Sequence, residues 1–274
     1  MKKIIAAIDA MHFSEDQLDS FLYITKEAQG RLTIVLLEDI VGQQVPVAST
    51  STFQYEQVVR ESMEERRRLR KEHVDRVYRA CDNRGEDIRI YETIGFPVAD
   101  VIAASRFADL LLINNNTSFA FLYESNPPKF VKDVLADAQC PVMVLPDKVH
   151  PLKELIFSYN GTFSSMYAIR QFSQLFPGLS DMPVNVIYVT EGGNSELPKD
   201  SSIKDYMEHH YDEVRYTILN GDPVPEMLAL LMHRRDCIVT YGAYGRSRMS
   251  RFFHRSDADS VLRTTDIPIF ITHP

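Results

Sequence analysis

Short continuous apolar runs alternate along the chain with longer stretches in which apolar residues recur every three or four positions. Runs without polar alternation are typical of strands covered on both faces, and the longer period is typical of the helices that cover them. The runs predict the strands Ile4–Ile8, Leu32–Leu37, Ile88–Tyr91, Leu110–Ile113, Val142–Leu145, Leu155–Phe157, Val184–Val189, Arg215–Ile218, Cys237–Tyr241 and Ile269–Ile271. The helical patterns include Asp16–Ala28, Tyr55–Cys81, Val98–Phe107, Phe130–Ala138, Ser165–Phe176, Ile203–His210, Pro225–Arg234 and Ser256–Arg263. The expected fold class is α/β.

The same order of elements occurs twice. Lys3–Asp9 is echoed by Glu154–Asn160, and the loop Gly95–Pro97 is echoed by Gly221–Pro223. The pattern therefore predicts two tandem doubly wound domains of flavodoxin-like or Rossmann-like type, each a five-stranded parallel sheet with helices on both faces. The prolines of Pro146–Pro151 bracket a polar turn, where few contacts between domains are expected. We place the domains at residues 1–147 and 148–274.

Composition excludes several classes of protein. Apolar residues make up 45% of the chain and charged residues 25%, as in globular proteins, and the net charge of −8 argues against a general nucleic-acid partner. No apolar stretch approaches the roughly 18 residues of a membrane span, so the expected location is the cytoplasm, with no membrane partner. Three scattered cysteines, Cys81, Cys140 and Cys237, predict neither a disulfide framework nor a metal site.

Ligands of open parallel sheets bind at the carboxyl ends of the strands, where the strand order reverses. With a flavodoxin-like order, strands one and four flank this point, so Asn160-Gly161 is expected to lie beside the stretch Gly242–Ser256. The turn of Gly242 and Gly245 exposes backbone N–H groups, and Ser256 begins a helix whose N-terminus favours anions. Positive charge comes from Arg246, Arg248, Arg251 and Arg255. The stretch predicts a phosphate site, and the alternative is a tight surface turn with solvated arginines.

In this context the stretch resembles the universal stress protein family, whose motif is Gly-x2-Gly-x9-Gly-Ser/Thr leading into a helix. Two tandem copies cover nearly the whole chain, with Asp9-x4-Ser14 and Asn160-Gly161-x3-Ser165 after the first strands and a proline before each final strand. The resemblance implies five parallel strands per copy and, in some members, a pocket for ATP or AMP. Other members of the family have lost the phosphate motif and hold no nucleotide.

The resemblance assigns Gly242, Gly245 and Ser256 to the phosphate end of the second-half pocket, and Val189, at the end of strand two, to the base. Two positions depart from the family pattern. Asn160 stands where nucleotide-binding members have Asp, and it keeps an acceptor oxygen without the carboxylate charge. Arg255 stands in place of the third glycine, where it either binds a phosphate or fills the pocket.

The first half keeps the acid and loses the glycines. Counting from Asp109 and Asp236 matches Gly242 with Asn115, and the positions of Gly245, Arg255 and Ser256 fall on Ser118, Pro128 and Lys129. Asp9 remains at the end of the first strand. We expect no tightly bound nucleotide in this half.

Other polar clusters have simpler interpretations. The basic run Arg66–Lys71 is flanked by glutamates at helical spacings, including Glu64 with Arg68 and Arg68 with Glu72, which indicates a solvated helix. Adjacent histidines, His209 and His210, point in different directions on a helix and predict surface residues. His254 is a candidate acid or base, or a partly exposed polar residue. No nucleophile motif is present, so no catalytic residue is predicted.

Three hypotheses follow from the sequence. The first is a cytoplasmic stress-response module with an adenine nucleotide in its second half, where binding orders Gly242–Ser256 and changes a surface that a protein partner contacts. The second is a slow ATP-hydrolysing or phosphotransfer enzyme that uses the same pocket. The third is a nucleotide-free scaffold, in which the two halves form an intramolecular pseudo-dimer that also pairs with another chain into a homodimer through exposed edges of the final strands.

Overall fold

A computed structural model describes residues 1–38, 52–120, 125–193, 196–242 and 261–272, with the backbone alone for residues 52–63 and 66 of a long helix. The strands there are β1 (Lys2–Asp9), β2 (Gly30–Leu37), β3 (Arg89–Glu92), β4 (Leu110–Asn114), β5 (Val142–Leu145), β6 (Glu154–Ser158), β7 (Val184–Thr190), β8 (Val214–Asn220), β9 (Cys237–Gly242) and β10 (Ile269–Thr272). The helices are α1 (Glu15–Glu27), α2 (Thr52–Asp82), α3 (Pro97–Ser105), α4 (Lys129–Asp137), α5 (Phe163–Leu175), α6 (Asp200–His210) and α7 (Pro223–Leu231), and residues 261–264 are also helical.

The strands form one ten-stranded sheet in the order β3-β2-β1-β4-β5-β10-β9-β6-β7-β8. Each half has its own strands in the order three, two, one, four, five, and pairs them in parallel. The α/β class and the parallel strands of both halves are therefore confirmed. The strand order reverses between β1 and β4 in the first half and between β6 and β9 in the second, as expected.

The two final strands pair with each other in the middle of the sheet. β5 and β10 run antiparallel, with Ile269 opposite Val144 and Phe270 opposite Met143. The expectation that final-strand edges are exposed for a partner was wrong, because each final strand has a neighbour on both sides. Among the described strands, the outer ones are β3 and β8.

Helices cover both faces of the sheet because the strand residues are apolar on both sides. Along β1, Ile4, Ala6 and Ile8 belong to one buried cluster, while Ile5 and Ala7 belong to the other. The first cluster is completed by α1, the end of α2, α5 and α6, and the second by α3, α4, α7 and residues 261–264. Each cluster contains residues from both halves, so the core continues across the centre of the sheet.

The segment between the halves packs closely against the first half. Ser20 of α1 donates its hydroxyl to the carbonyl of Asp147 at 3.2 Å and accepts the Val149 N–H at 2.9 Å. The Leu152 N–H reaches the Tyr23 hydroxyl at 3.3 Å, and the Leu152 side chain is buried. The prolines shape this connection, but side chains of α1 hold it in place.

Helix α5 begins earlier than the sequence predicts. In the first half, the Ser14 hydroxyl accepts the Gln17 N–H and caps α1, as its position suggests. In the second half, the cap is Thr162 and Ser165 lies inside the helix. The first turn of α5 therefore starts closer to the end of its preceding strand than the first turn of α1 does.

The basic run lies on α2, as predicted, and two of its arginines, Arg68 and Arg70, form ion pairs. Arg68 contacts Glu65 at 2.8 Å and Glu72 at 3.9 Å, so the predicted pair with Glu72 is confirmed and Glu65 takes the place of Glu64. Arg70 contacts Glu38 at 2.5 Å and Glu92. The helix is charged along its exposed side and attached by ion pairs to the ends of β2 and β3.

Candidate functional site

A pocket lies at the carboxyl ends of the second half's central strands. Its volume is about 250 Å³, and its walls come from β6, β7, β9, the start of α7 and residue 261. Two residues predicted to bind the nucleotide, Asn160 and Val189, are on its wall. The remaining apolar lining includes Tyr188, Val224, Met227 and Tyr241.

The pocket carries little charge of its own. Among the described lining residues, Glu191 is the only acidic or basic one, and it is exposed. The Thr190 hydroxyl accepts the Gly192 N–H at 3.2 Å, which orients the loop after β7. Because a phosphate group needs N–H groups or cations, its charge would have to be balanced outside these walls.

The side chain of Asn160 forms part of the cap of α5. Its Oδ1 accepts the backbone N–H of Thr162 at 3.1 Å and the Thr162 hydroxyl at 2.6 Å. The Asn160 N–H in turn reaches the Ser165 hydroxyl at 3.4 Å. The oxygen that the sequence offered as a ligand acceptor is therefore already used within the protein.

Gly161 has a structural reason to be glycine. Its φ is +75°, in the left-handed region that side chains rarely adopt, and a Cβ there would lie 2.5 Å from Cβ of Pro198. This residue turns the chain from β6 into α5. It is absent from the described pocket lining, so the predicted ligand contact of Gly161 stays a prediction.

Gly242 lies directly beneath the first turn of α5. A Cβ on Gly242 would lie 2.1 Å from the carbonyl oxygen of Ser164 and 2.6 Å from the N of Ser165. The end of strand four therefore packs on the first turn of α5, and it shares the pocket with the loop after strand one through Tyr241 and Asn160. The phosphate contact of Gly242 stays a prediction, and its lack of a Cβ allows the helix backbone to pack on β9.

The other predicted phosphate-site residues, Gly245, Arg246, Arg255 and Ser256, lie outside the described residues, as do Arg248, Arg251 and His254. Their roles stay predictions. Residue 261, which follows this stretch, is on the pocket wall.

The strand register corrects the match between the two halves by one residue. The two halves are aligned on the proline that precedes each final strand. The Pro141 carbonyl accepts the Leu111 N–H, and the Pro268 carbonyl accepts the Val239 N–H. In the second half, Gly242 pairs with Thr272, the fourth residue of the final strand. In the first half, the fourth residue of the final strand is Leu145, and it pairs with Asn114. Asn114 is therefore the counterpart of Gly242. Counting from the aspartates had pointed to Asn115 because the loop before the fourth strand differs in length between the halves.

Asn114 is the first-half residue at the position that Gly242 has in the second half. It is 2% exposed, its Nδ2 donates to Asp147 Oδ1 at 2.9 Å, and its Oδ1 accepts the Asn116 N–H at 2.8 Å. Both ends of the amide are bound by the first half and its connecting segment. Asn114 is therefore a buried clamp between the end of β4 and the connecting segment.

Asp9 is also engaged by its own half. Its Oδ1 accepts the Met11 N–H at 2.9 Å, and its Oδ2 contacts His12 Nδ1 at 2.6 Å. The carboxylate is nearly buried, while the His12 side chain is 79% exposed. The acid that the first half retains therefore caps a short turn after β1.

Thiols and histidines show no sign of reactive or metal-binding chemistry within the described residues. Burial raises the pKa of Cys81 to about 11 and those of Cys140 and Cys237 to about 12, and all three are free. His209 is exposed beside Asp205. Among the described residues, no cluster of metal-ligating side chains occurs, and no helix is long and apolar enough to cross a bilayer.

Sequence reasoning missed several walls of the pocket. Tyr188, Val224 and Met227 belong to apolar patterns that are equally well explained as core. The signal that was available is position, because Tyr188 lies two residues before the end of β7 and Val224 lies in the first turn of α7, on the carboxyl side of the sheet. Periodicity alone does not distinguish such residues from buried neighbours.

Comparison with solved structures reveals relatives of this architecture along the entire chain. A universal stress protein from Archaeoglobus fulgidus superposes with a TM-score of 0.69 at 16% identity, covering 99% of this chain and 98% of that one. The chain has the universal stress protein fold. A putative universal stress protein from Pseudomonas aeruginosa shares this fold with a TM-score of 0.54 at 13% identity, covering 100% and 94% of the two chains.

A protein of unknown function from Pseudomonas aeruginosa also has this fold, with a TM-score of 0.55 at 12% identity, covering 100% of this chain and 93% of that one. No protein-family model and no curated protein matches the sequence. The universal stress protein fold is thus shared at 12–16% sequence identity.

Proposed function

We propose that this chain is a two-copy universal stress protein that acts as a stress-response regulator and binds a nucleotide, ATP or AMP, in its second half. The observation that carries the proposal is the pocket of about 250 Å³ at the second reversal of strand order, with Asn160 and Val189 on its wall. Ligand pockets of open α/β sheets occur at this point. The fold shared with universal stress proteins supports the regulatory role.

The size and polarity of the pocket favour the base and sugar part of a nucleotide. Ligand pockets usually have volumes of roughly 300–1,000 Å³, so a volume just below this range suits a fragment of a nucleotide. The walls are mainly apolar and aromatic, which suits a stacked base. The phosphates would then extend toward Gly242 and the arginines that follow it in the sequence.

Among the described residues, the first-half counterparts of the second-half site residues are bound within the protein. Asn114 replaces the glycine and binds Asp147, and Asp9 binds the turn at His12. These contacts support a division of roles in which the first half is structural and the second half binds the ligand.

Calorimetric titration of the full chain with ATP and AMP tests the proposal. Val224→Phe places a ring in the pocket, and we expect it to weaken binding at least tenfold. The matched control is Val98→Phe, since Val98 follows the proline of the equivalent loop in the first half and is also partly buried. Binding that is absent for the wild-type chain, or equally affected by both variants, would contradict a second-half site.

A further inference from the structure

The two outer strands of the described sheet differ in how their free edges are protected. β3 has four residues, and two of them, Arg89 and Glu92, are charged. Glu92 is also bound to α2, through Arg70 at 3.1 Å and the Tyr78 hydroxyl at 3.1 Å. Short length and charge are common means by which proteins prevent an edge from pairing with another strand. The outer edge of the first half is therefore protected.

β8, the outer strand of the second half, lacks this protection. It has seven residues, contains no proline, and carries a single charge, on Arg215. This charge is bound to Glu154 of β6 at 2.8 Å. Parallel pairing with β7 along the whole strand, from Val214 to Asn220, holds β8 in place. A long and nearly uncharged edge of this kind is a template for another strand.

Alternate residues of β8 direct their backbone groups away from the sheet. The Glu213 carbonyl accepts the Val184 N–H of β7, and the Gly221 N–H binds the Thr190 carbonyl of β7. Odd-numbered residues of β8 therefore face β7, and the even-numbered residues from 214 to 220 face the other way. No described strand lies on that side. The edge thus presents a continuous row of backbone N–H and C=O groups.

We propose that β8 is a self-association surface, on which the β8 strand of a second copy of this chain pairs in antiparallel orientation. A symmetric contact requires a strand that is compatible with itself. With the two-fold axis at Thr217, the middle residue, the two strands overlap along their whole length, and the outward-facing residues of one copy meet those of the other. Each such pair exchanges two backbone bonds, which gives roughly eight hydrogen bonds, within the usual range for a specific interface.

The charges of β8 are compatible with pairing to its own copy. In this register Arg215 of one copy lies opposite Leu219 of the other, and the two Arg215 residues are four positions apart, or roughly 13 Å. Each arginine already has an ion pair within its own copy. The neighbouring acids Asp212, Glu213 and Asp222 lie beyond the ends of the strand. Two copies that each have a net charge of −8 therefore meet along a strip without opposed like charges.

Sedimentation equilibrium of the full chain tests for the dimer. The 31.4 kDa monomer is expected to convert into a dimer as the protein concentration rises through the micromolar range. Ile218→Pro removes an outward-facing N–H from each copy, at an edge where proline leaves the bonds to the inner neighbour intact. Two hydrogen bonds are then lost per dimer, so we expect association to weaken at least tenfold.

The matched control is Ile90→Pro in β3. Ile90 packs partly buried on the same core cluster as Ile218. Its N–H also faces outward, because the Thr93 N–H binds the Leu36 carbonyl of β2 and so places the odd-numbered residues of β3 on the inner side. This variant should associate as the wild-type chain does.

A cysteine at the axis tests the pairing without a change to the backbone groups. Thr217→Cys places the thiols of the two copies directly opposite each other, where a Cα separation of about 4.5 Å permits a disulfide. Mild oxidation with copper phenanthroline should therefore link the copies. The control Arg215→Cys places the thiols roughly 13 Å apart and should not link them. Both variants keep the three native cysteines, so the oxidised wild-type chain provides the baseline.

The outcomes separate this surface from the proposed nucleotide site, since none of the measurements requires a ligand. A wild-type chain that stays monomeric throughout the micromolar range would overturn the inference. A dimer that Ile90→Pro weakens as much as Ile218→Pro would place the contact elsewhere and also overturn it. Equal crosslinking of Thr217→Cys and Arg215→Cys would exclude the antiparallel register. Selective crosslinking of Thr217→Cys would support the inference even if Ile218→Pro fails to fold.

Discussion

Gly242 offers the sharpest test of how the crevice is built. The change is Gly242→Ala, which adds one methyl group 2.1 Å from the Ser164 carbonyl oxygen and 2.3 Å from its carbon. Both atoms belong to the backbone of α5, so rotation of a side chain does not relieve the contact. Separating these atoms to an ordinary contact distance requires a movement of roughly 1 Å between helix and strand.

The surroundings resist that movement. β9 is held in parallel register by β6 on one side and β10 on the other, and all of its residues are buried. α5 is fixed in turn by Phe172, which packs against Phe270 and Phe157. Overpacking of a rigid core costs about 1–3 kcal/mol, and backbone contact places this substitution at the upper end, at about 3 kcal/mol.

Urea denaturation followed by circular dichroism measures the free energy of unfolding, and the control is Gly192→Ala. A Cβ on Gly192 has its nearest neighbour at 3.9 Å, and the residue is exposed, so its effect is expected to stay within about 0.5 kcal/mol. If the two variants unfold at the same urea concentration, α5 does not pack on Gly242 as described. The reasoning about the shared crevice would then be refuted.

Three further outcomes are expected. Gly161→Ala should lower the free energy of unfolding by about 1–2 kcal/mol in the same assay, because a Cβ is disfavoured at a φ of +75° and would collide with Pro198. An unchanged urea midpoint would contradict the described turn from β6 into α5. Asn114→Ala should lower the free energy of unfolding by about 1–3 kcal/mol, because it removes the buried hydrogen bond to Asp147. The control Asn116→Ala changes an exposed residue and should leave stability almost unchanged, so equal losses would argue against the clamp. Cys81, Cys140 and Cys237 should react slowly with a thiol reagent in the native protein at pH 8, because burial raises their pKa values to about 11 to 12 and leaves almost no thiolate. Native protein that is labelled as fast as urea-unfolded protein would contradict this expectation.

The strands were predictable because their signal is local. Continuous apolar runs such as Leu110–Ile113 mark strands covered on both sides, and each predicted run overlaps an observed strand. The repeat then placed strands one and four side by side in each half. The general position of the site followed from this order, and Asn160 and Val189 do lie on the pocket wall.

The errors came from features that the pattern of residue types does not specify. The start of α5 moved from Ser165 to Phe163 because Thr162, held by Asn160, supplies the cap. The match of Gly242 to Asn115 failed because counting assumes loops of equal length, whereas backbone pairing selects Asn114. The prolines of the connecting segment predicted a turn, and its attachment to Ser20 and Tyr23 of α1 became visible only in the structure.

The sequence by itself determined the class of the fold, its duplication and the end of the sheet where a ligand would bind, because apolar periodicity and repeated motifs are properties of short segments. Tertiary structure decided how the two final strands meet and that Asn114 of the first half binds Asp147 where the second half has Gly242. Those outcomes depend on hydrogen bonds and close contacts between segments far apart in the chain. A pattern of residue types does not specify such distances, and the packed structure does.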